Sequence, residues 1–229
     1  DDELGPHHNP EFSMLEWYRP DFDMQALMDE IKDLLACVLS KKPVAVDRMS
    51  YRQAFEKFAE INPHQASAED CRSCAISHNI EQPVGLEDNK DEWLDWLLTQ
   101  LVMPSFEPGH FTFIYDYPAS QCSLARLRED EQGAQVASRF ELFYGEVELA
   151  NGFHELLSSV EQRQRFEREN QQRLEAGKSA VKIDEYLLSA LDHDLPDCSG
   201  VALGLDRLLM IMCEKQSIDE VLAFPFARV

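Results

Sequence analysis

The sequence predicts one α+β domain built on a mainly antiparallel β-sheet that is flanked by helices. Its 229 residues fit a single large domain, and a hydrophobic content of 44% is enough to bury a sizeable core. Strand-like and helix-like segments interleave along the chain without a regular βαβ period. A regular βαβ period is typical of a doubly wound parallel sheet, so its absence favours the antiparallel class.

The first predicted elements are a polar loop, a strand and an amphipathic helix. Residues 1–12 are polar and contain a glycine and two prolines, and Ser13 to Arg19 has the pattern of a short strand. Asp21 and Asp23 can cap a helix whose apolar residues recur at helical spacing. These apolar residues are Met24, Leu27, Met28, Ile31, Leu34, Leu35 and Val38.

Two more helices are predicted over residues 51–61 and 91–103, with a polar region over residues 62–90 between them. The second half adds a strand, a hairpin and two helices. They are a strand over Phe111 to Tyr117 that ends at Pro118, two strands over residues 138–150 that turn at Gly145, a charged helix from about Ser159 to Lys178 that is ended by Gly177, and a helix over Leu203 to Cys213 that follows a glycine-spaced strand.

Charge argues against a nucleic-acid partner. The chain carries 43 acidic and 21 basic residues, a formal net charge of −22, and none of its charge runs is basic. Proteins that bind nucleic acid usually present a basic face. No apolar run reaches the length of a membrane span and the N-terminus has no signal-peptide pattern, so we expect a cytoplasmic protein without a membrane partner.

The six cysteines are scattered and predict reduced, mostly buried thiols rather than a disulfide framework. Cys71, Cys74 and His78 could form half of a zinc site. No second pair of ligands has a matching spacing, and structural zinc takes four ligands, so buried thiols are the favoured interpretation.

A first cluster of candidate site residues lies where the N-terminal loop enters a strand. It consists of His8, Asn9, Phe12, Glu16 and Tyr18. Residues two apart on a strand share a face, so the last three can line one surface. An aromatic ring can support a flat base and a carboxylate can pair with an amine. The alternative is a strand with one solvated face.

A second cluster follows the predicted hairpin and contains Glu141, Glu148, Asn151 and Glu155. The two glutamates at 141 and 148 lie on opposite arms of the hairpin and can converge. Converging carboxylates repel unless a cation lies between them, and Mg²⁺ on ATP phosphates is the usual cation for such oxygen ligands. The alternative is an exposed hairpin edge that carries glutamates.

A third cluster is the segment GVALGLDR, which contains Gly200, Ala202, Gly204 and Arg207. Small residues on one face of a strand allow a ligand to approach the backbone closely. An arginine in the first turn of the helix that follows can clamp a phosphate.

Together the clusters resemble a class II aminoacyl-tRNA synthetase of the lysyl subgroup. GVALGLDRLLM resembles motif 3 of that class, the loop that leads into HNPEFSMLEWYRP resembles the second half of motif 2, and ELANGFHEL resembles the strand that carries metal and lysine contacts. Together with YPASQCSLARL and LPDCSGVALGLDRL, these segments look most like the branch that attaches (R)-β-lysine to elongation factor P. The resemblance implies the antiparallel sheet of the class II catalytic core.

The resemblance implies roles for individual residues. Glu3, His8, Asn9, Phe12, Glu148, Leu149, Gly204 and Arg207 would contact ATP, with Phe12 on the adenine and Arg207 on the triphosphate. Glu141 and Glu148 would hold Mg²⁺. Glu16, Tyr18, Asn151, Glu155 and Ala202 would surround (R)-β-lysine or lysine. Arg207 and Glu148 would be the catalytic residues.

Ala202 stands where lysyl-tRNA synthetases usually carry glycine. Its methyl group would reshape the amino-acid pocket and fits an amine that is shifted along the chain, as in β-lysine. The alternative is an alanine that only packs. The resemblance also implies elongation factor P, not tRNA, as the acceptor and a homodimer as the assembly.

The resemblance covers residues 1–229 as one catalytic domain that lacks motif 1, the beginning of motif 2 and the arginine before the first residues. We therefore expect the chain alone to be inactive. Two alternatives stay open: a fragment of a lysyl-tRNA synthetase, and a catalytically inactive paralogue that only binds a partner or nucleotide.

Overall fold

The computed structural model describes residues 4–39, 44–83, 86, 88–193 and 195–228. The strands in these ranges are β1 (Met14–Pro20), β2 (Val46–Ser50), β3 (Phe111–Pro118), β4 (Leu127–Glu129), β5 (Gln135–Tyr144), β6 (Val147–His154) and β7 (Cys198–Gly204). The helices are α1 (Met24–Val38), α2 (Tyr51–Phe58), α3 (Ala68–Ser77), α4 (Lys90–Leu97), α5 (Ser159–Glu175), α6 (Glu185–Leu191) and α7 (Leu205–Met212).

One mixed sheet organises the molecule. Its strands lie in the order β1-β7-β6-β5-β3-β2, with β4 paired to β5. All pairs are antiparallel except that of β2 with β3. The predicted α+β class and its antiparallel sheet are therefore confirmed. Among the described residues, no helix is both long and apolar enough to cross a membrane.

The two faces of the sheet are covered differently. Helix α1 packs on one face, where its apolar side joins buried residues of β3, β5, β6 and β7 in one core. Helices α2, α3 and α4 form a second core with β3 and β5 on the opposite face. On this opposite face, β1, β7 and β6 carry polar and partly exposed side chains, among them Glu16, Tyr18 and Asn151. Those side chains form the floor of the candidate site.

Local signals explain several element ends. The Asp23 carboxylate accepts a hydrogen bond from the Ala26 N–H at 2.8 Å and caps α1, as the sequence predicts. Asp21 is not a cap, because its backbone adopts a positive φ of 62° in the turn after β1. Ser50 and Gln53 form a capping box at the start of α2. Gly145 has a φ of 55° in the turn between β5 and β6.

The structure corrects other boundaries. The helix predicted over 51–61 ends at Phe58, and the helix predicted over 91–103 continues from α4 through a π turn and a 3-10 turn to Ser105. Leu203 belongs to β7 rather than to the following helix. The sequence did not predict β2, β4, α3 or α6.

Helix α3 lies inside the polar region 62–90 and explains the Cys-x-x-Cys spacing. Cys71 and Cys74 are buried in the core beneath α2 and α4, whereas His78 is exposed. Burial raises the pKa of the Cys71 thiol to about 11, which keeps it protonated. No metal-binding group of three His, Cys, Asp or Glu side chains occurs in the described parts of the chain. These cysteines pack in the core.

Candidate active site

Strand register brings four predicted residues into one row across the sheet. Glu16 of β1 lies opposite Ala202 of β7, Ala202 opposite Asn151 of β6, and Asn151 opposite Glu141 of β5. Directly opposed residues share a face, so these side chains are neighbours although the chain separates them widely. The row runs from the exposed Glu16 to the buried Glu141.

A β-bulge adds Glu148 to the same face. In an unbroken strand Glu148 and Asn151, three apart, would point to opposite faces. The register between β5 and β6 shifts after Leu142, so that Phe143 pairs with Glu148 while Glu141 pairs with Asn151. The extra residue in β6 restores both side chains to one face. The predicted convergence of Glu141 with Glu148 therefore occurs, and both line one hollow.

A second row contains Tyr18, Gly200, Phe153 and Arg139. The sequence predicts that Gly200 leaves room for a ligand, and the structure corrects this. A Cβ at Gly200 would lie 2.5 Å from Cε1 of Tyr18 and 2.7 Å from Oε1 of Glu155. These two side chains fill the space above the glycine, so Gly200 positions Tyr18 and Glu155 beside each other.

A cavity of about 270 Å³ lies between the N-terminal loop, β6, β7 and the first turn of α7; we call it the loop cavity. Its lining includes nine of the predicted residues: His8, Asn9, Phe12, Glu148, Leu149, Asn151, Ala202, Gly204 and Arg207. Phe12 precedes β1, so the N-terminal loop positions it, and it lines this cavity whereas Glu16 and Tyr18 do not. The Phe12 ring is 56% exposed and is available to a planar ligand.

Arg207 links two walls of the loop cavity by hydrogen bonds. Its Nε donates to the backbone oxygen of His7 at 3.2 Å, and its Nη1 donates to the backbone oxygen of Glu148 at 2.6 Å. Its predicted position in the first turn of the helix is confirmed. The neighbouring Asp206 accepts a hydrogen bond from the Ser13 N–H at 2.7 Å and fixes the end of the loop.

Asn9 has a structural role in this loop. Its side-chain amide donates to the backbone oxygen of Glu11 at 2.5 Å, and its Oδ1 accepts from the Phe226 N–H at 3.1 Å. Both polar groups of this buried side chain therefore have protein partners, and Asn9 contributes mainly shape to the cavity. Glu3, the other predicted contact of the loop, lies outside the described residues.

A second hollow of about 570 Å³ adjoins the first, because Glu148 lines both. We call it the acidic hollow. Its charged lining residues are Asp95, Arg139, Glu141, Glu148 and Glu169. The Arg139 guanidinium pairs with Glu141, donates to the backbone oxygen of Gln121 at 3.1 Å and lies 4.5 Å from the ring centre of Tyr117.

Burial and the neighbouring Glu141 raise the pKa of Glu148, whereas Arg207 and Arg139 lower it. A divalent cation between Glu141 and Glu148 would relieve this repulsion. Since no triad of protein ligands is present in the described residues, such an ion would need oxygen atoms from another molecule to complete its coordination. This is the donor set that suits Mg²⁺ on a phosphate chain.

Glu155 lies beside the row, directly after β6. Burial raises the pKa of its carboxyl to about 7, and the nearby Arg126 opposes this shift. The Arg126 Nε donates to the Glu155 backbone oxygen at 3.1 Å, while its Nη2 pairs with Asp197 at 2.5 Å. Burial, and to a smaller extent the negative charge of Glu155, raises the pKa of the Tyr18 hydroxyl. A ligand ammonium would favour the ionised carboxylate here.

The sequence missed several residues of these cavities. They are His7, Ser13, Met14, Ala150, Asp206 and Ile218 in the loop cavity, and Asp95, Leu98, Thr99, Met103, Tyr117, Ser120, Gln121, Ser123, Arg139, Phe143 and Glu169 in the acidic hollow. Asp206 and Arg139 stand beside predicted residues and could have been found as charged neighbours. The wall provided by α4 depends on tertiary packing and leaves no local signal.

Comparison with known proteins agrees with this architecture. Residues 1–228 match the family described as tRNA synthetases class II (D, K and N). Three relatives named elongation factor P--(R)-beta-lysine ligase, from Salmonella dublin, Salmonella paratyphi B and Salmonella heidelberg, are each 46% identical over 227 residues. The alignment covers 99% of this chain and 69% of each relative.

Proposed function

The chain belongs to the class II tRNA synthetase family of the D, K and N group, and we propose that it is the catalytic domain of an ATP-dependent ligase that joins (R)-β-lysine to elongation factor P. The amino acid is activated as an adenylate and passed to a lysine ε-amine of that factor. The observation that carries this proposal is the row of Glu16, Ala202, Asn151 and Glu141, which joins the floor that we assign to the amine to the carboxylate that we assign to Mg²⁺.

We assign ATP to the loop cavity. Phe12 offers an exposed ring for the adenine, and Gly204 leaves the backbone accessible, since a Cβ there would have only ordinary contacts at 3.7 Å or more. Arg207 would neutralise negative charge on the triphosphate. Leu149 and His8 would complete the walls, and Asn9 would keep the loop in shape.

Glu141 and Glu148 would hold Mg²⁺, with ATP phosphate oxygens as its remaining ligands. The ion would supply positive charge against the developing charge on the phosphates. For this role Arg139 would release part of its hold on Glu141, since the two side chains pair in this structure.

The amino acid fits the floor beside the cavity. Glu16 and Glu155 supply carboxylates for its ammonium groups, and Tyr18 lies against Glu155 above Gly200. Asn151 has a buried Oδ1 that lacks a hydrogen-bond partner among the described residues, so it can accept a hydrogen bond from the ligand. The methyl group of Ala202 would limit where the amine can lie.

The reaction has two steps. A carboxylate oxygen of the amino acid attacks the α-phosphorus of ATP, and the bond to the β-phosphate oxygen breaks to release pyrophosphate. The acceptor ammonium then loses one proton to solvent, and its nitrogen attacks the acyl carbon. The bond to AMP breaks, AMP leaves with the electron pair, and the nitrogen releases a second proton. Positioning and charge balance by Arg207 supply most of the catalysis.

The test incubates the full-length protein with ATP, Mg²⁺, (R)-β-lysine and elongation factor P, and follows the mass of the factor. We expect a gain of one lysyl unit and no aminoacylation of tRNA. The variant Glu148→Gln should lose both this gain and amino-acid-dependent pyrophosphate exchange, because it removes a metal carboxylate. Charging of tRNA without modification of the factor would favour a lysyl-tRNA synthetase, and absence of exchange in the parent protein would favour an inactive paralogue.

A further inference from the structure

The acidic hollow holds more negative charge than the proposed metal site requires. Its lining carries four carboxylates, those of Asp95, Glu141, Glu148 and Glu169, against the single guanidinium of Arg139. Arg139 pairs with Glu141, and Mg²⁺ would use Glu141 with Glu148. Asp95 of α4 and Glu169 of α5 have no function in that arrangement. Like charges that face one hollow disfavour each other unless a cation joins them.

The oxygens of two uncharged groups in the hollow also lack a hydrogen-bond donor. Tyr117 is only 2% exposed, and its hydroxyl oxygen accepts no hydrogen bond from any described residue. Burial, followed by the charge of the neighbouring Glu141 carboxylate and hydrogen bonding to it, raises the pKa of this hydroxyl well above its ordinary value. The buried Oε1 of Gln121 is likewise without a partner in the described chain, although its amide donates to Asp95 at 2.7 Å. Buried oxygens of this kind require a donor.

The remaining lining combines three hydroxyl side chains (Thr99, Ser120 and Ser123) with three apolar side chains that suit an alkyl stem. Leu98, Met103 and Phe143 contribute to the same wall. An apolar wall beside carboxylates and oxygens without donors matches a primary ammonium on a hydrocarbon chain, which is the chemistry of a lysine side chain. The hollow also meets the loop cavity at Glu148, so its occupant would lie next to the activated acyl group.

We propose that the acidic hollow binds the side chain of the acceptor lysine, with Asp95 and Glu169 recognising its ammonium and Gln121 and Tyr117 accepting its hydrogen bonds. This inference rests on the proposed function, and it gives the acceptor an entrance separate from the floor formed by Glu16 and Tyr18. Asp95 and Glu169 are binding residues for the second step and have no contact with the first.

The test separates the two steps in the full-length protein. For Asp95→Asn and Glu169→Gln, we expect kcat/KM for the acceptor protein to fall about tenfold or more, the effect of losing one hydrogen bond to a charged group. Pyrophosphate exchange and trapping of the adenylate by hydroxylamine, a neutral nucleophile, should keep the parental rate. Glu92→Gln, an exposed change on the same helix α4, is the matched control and should alter neither step.

A direct binding measurement tests the acidic hollow without the acceptor protein. With the amino-acid site saturated by (R)-β-lysine, Nα-acetyl-lysine N-methylamide should bind the parent in calorimetry, and the norleucine analogue should not. The double variant of Asp95 and Glu169 should lose this binding. Unchanged binding or unchanged transfer would overturn the inference, as would an equal loss of exchange and transfer. If the parent binds the probe through Asp95 but leaves elongation factor P unmodified, the proposed function fails while the amine site stands.

Discussion

Two glycines on neighbouring strands should respond in opposite ways to the same added methyl group. Gly200 faces the site, and a Cβ there would lie 2.5 Å from Tyr18 and 2.7 Å from Glu155. Gly152 faces the core beneath α1, and a Cβ there would lie 2.6 Å from Cε1 of Phe140. At Gly200 only side chains must move, and Tyr18 is 63% exposed. At Gly152 the obstacles are the fully buried Phe140 ring and the backbone oxygen of Gly200, which would lie 2.8 Å from the Cβ.

The difference in exposure sets the magnitudes. Phe140 has no free space, so Gly152→Ala should lower the free energy of unfolding by about 1–3 kcal/mol, the usual cost of overpacking a core. Tyr18 can turn into solvent, so Gly200→Ala should change the free energy of unfolding by less than about 1 kcal/mol. It should displace Tyr18 and Glu155 from the amino acid, and losing a hydrogen bond to a charged group would raise KM about 10- to 100-fold.

The assay combines urea unfolding with pyrophosphate exchange at varied (R)-β-lysine concentration. Gly152→Ala is the matched control, since it adds the same group to the opposite face. We expect a lowered unfolding midpoint for Gly152→Ala and a raised KM for Gly200→Ala. If Gly200→Ala unfolds as readily as Gly152→Ala and keeps the parental KM, Gly200 serves only packing and our assignment of Tyr18 and Glu155 to the substrate is wrong.

Two further predictions concern the amino-acid floor. Because the pKa of Glu155 is raised to about 7, its carboxylate becomes protonated below that pH. KM for (R)-β-lysine in the exchange assay should therefore rise about tenfold per pH unit below 7. Glu155→Gln should flatten this pH profile. A carboxyl whose pKa is raised on folding lowers the stability of the fold as pH rises from its ordinary pKa to about 7. Glu155→Gln should therefore raise the free energy of unfolding at pH 8 and not at pH 4. An equal effect at both pH values would contradict this. Ala202→Gly should raise kcat/KM for α-lysine relative to β-lysine, since a pocket methyl group is worth about 1–3 kcal/mol of discrimination, and an unchanged ratio would mean that Ala202 only packs.

The elements that the sequence predicts well are those whose pattern is long or whose ends carry a specific signal. Helix α1 has an apolar periodicity and a capping aspartate, and its bounds agree with the predicted residues. Strand β1 agrees within one residue. By contrast, β2 has the sequence VDRMS, which lacks a strand pattern, and it forms because it pairs in parallel with β3. Such pairing depends on contacts far apart in the chain.

The sequence predicts some residues of the candidate site and not others, for the same reason. The motifs identify which residues belong to it, but they do not say which neighbours surround them. Asp95 reaches the acidic hollow because α4 packs in one core with β3 and β5, and Gln121 reaches it from the turn that follows β3. A small residue at position 200 predicts room for a ligand, whereas in the folded sheet Tyr18 and Glu155 fill that space.

The bulge in β6 is the feature on which the proposed chemistry depends most. With strict alternation, a strand that turns Asn151 to the site would turn Glu148 into the core against α1. A buried carboxylate there would have no cation, and Glu141 would face the phosphates alone. The extra residue, Leu149, avoids this conflict. Leu149 itself is buried, and Glu148 before it and Asn151 after it both face the site. Nothing in the sequence of β6 marks a bulge, because Leu149 suits a regular strand equally well. The pairing of two carboxylates is therefore decided by strand register, which only the folded sheet supplies.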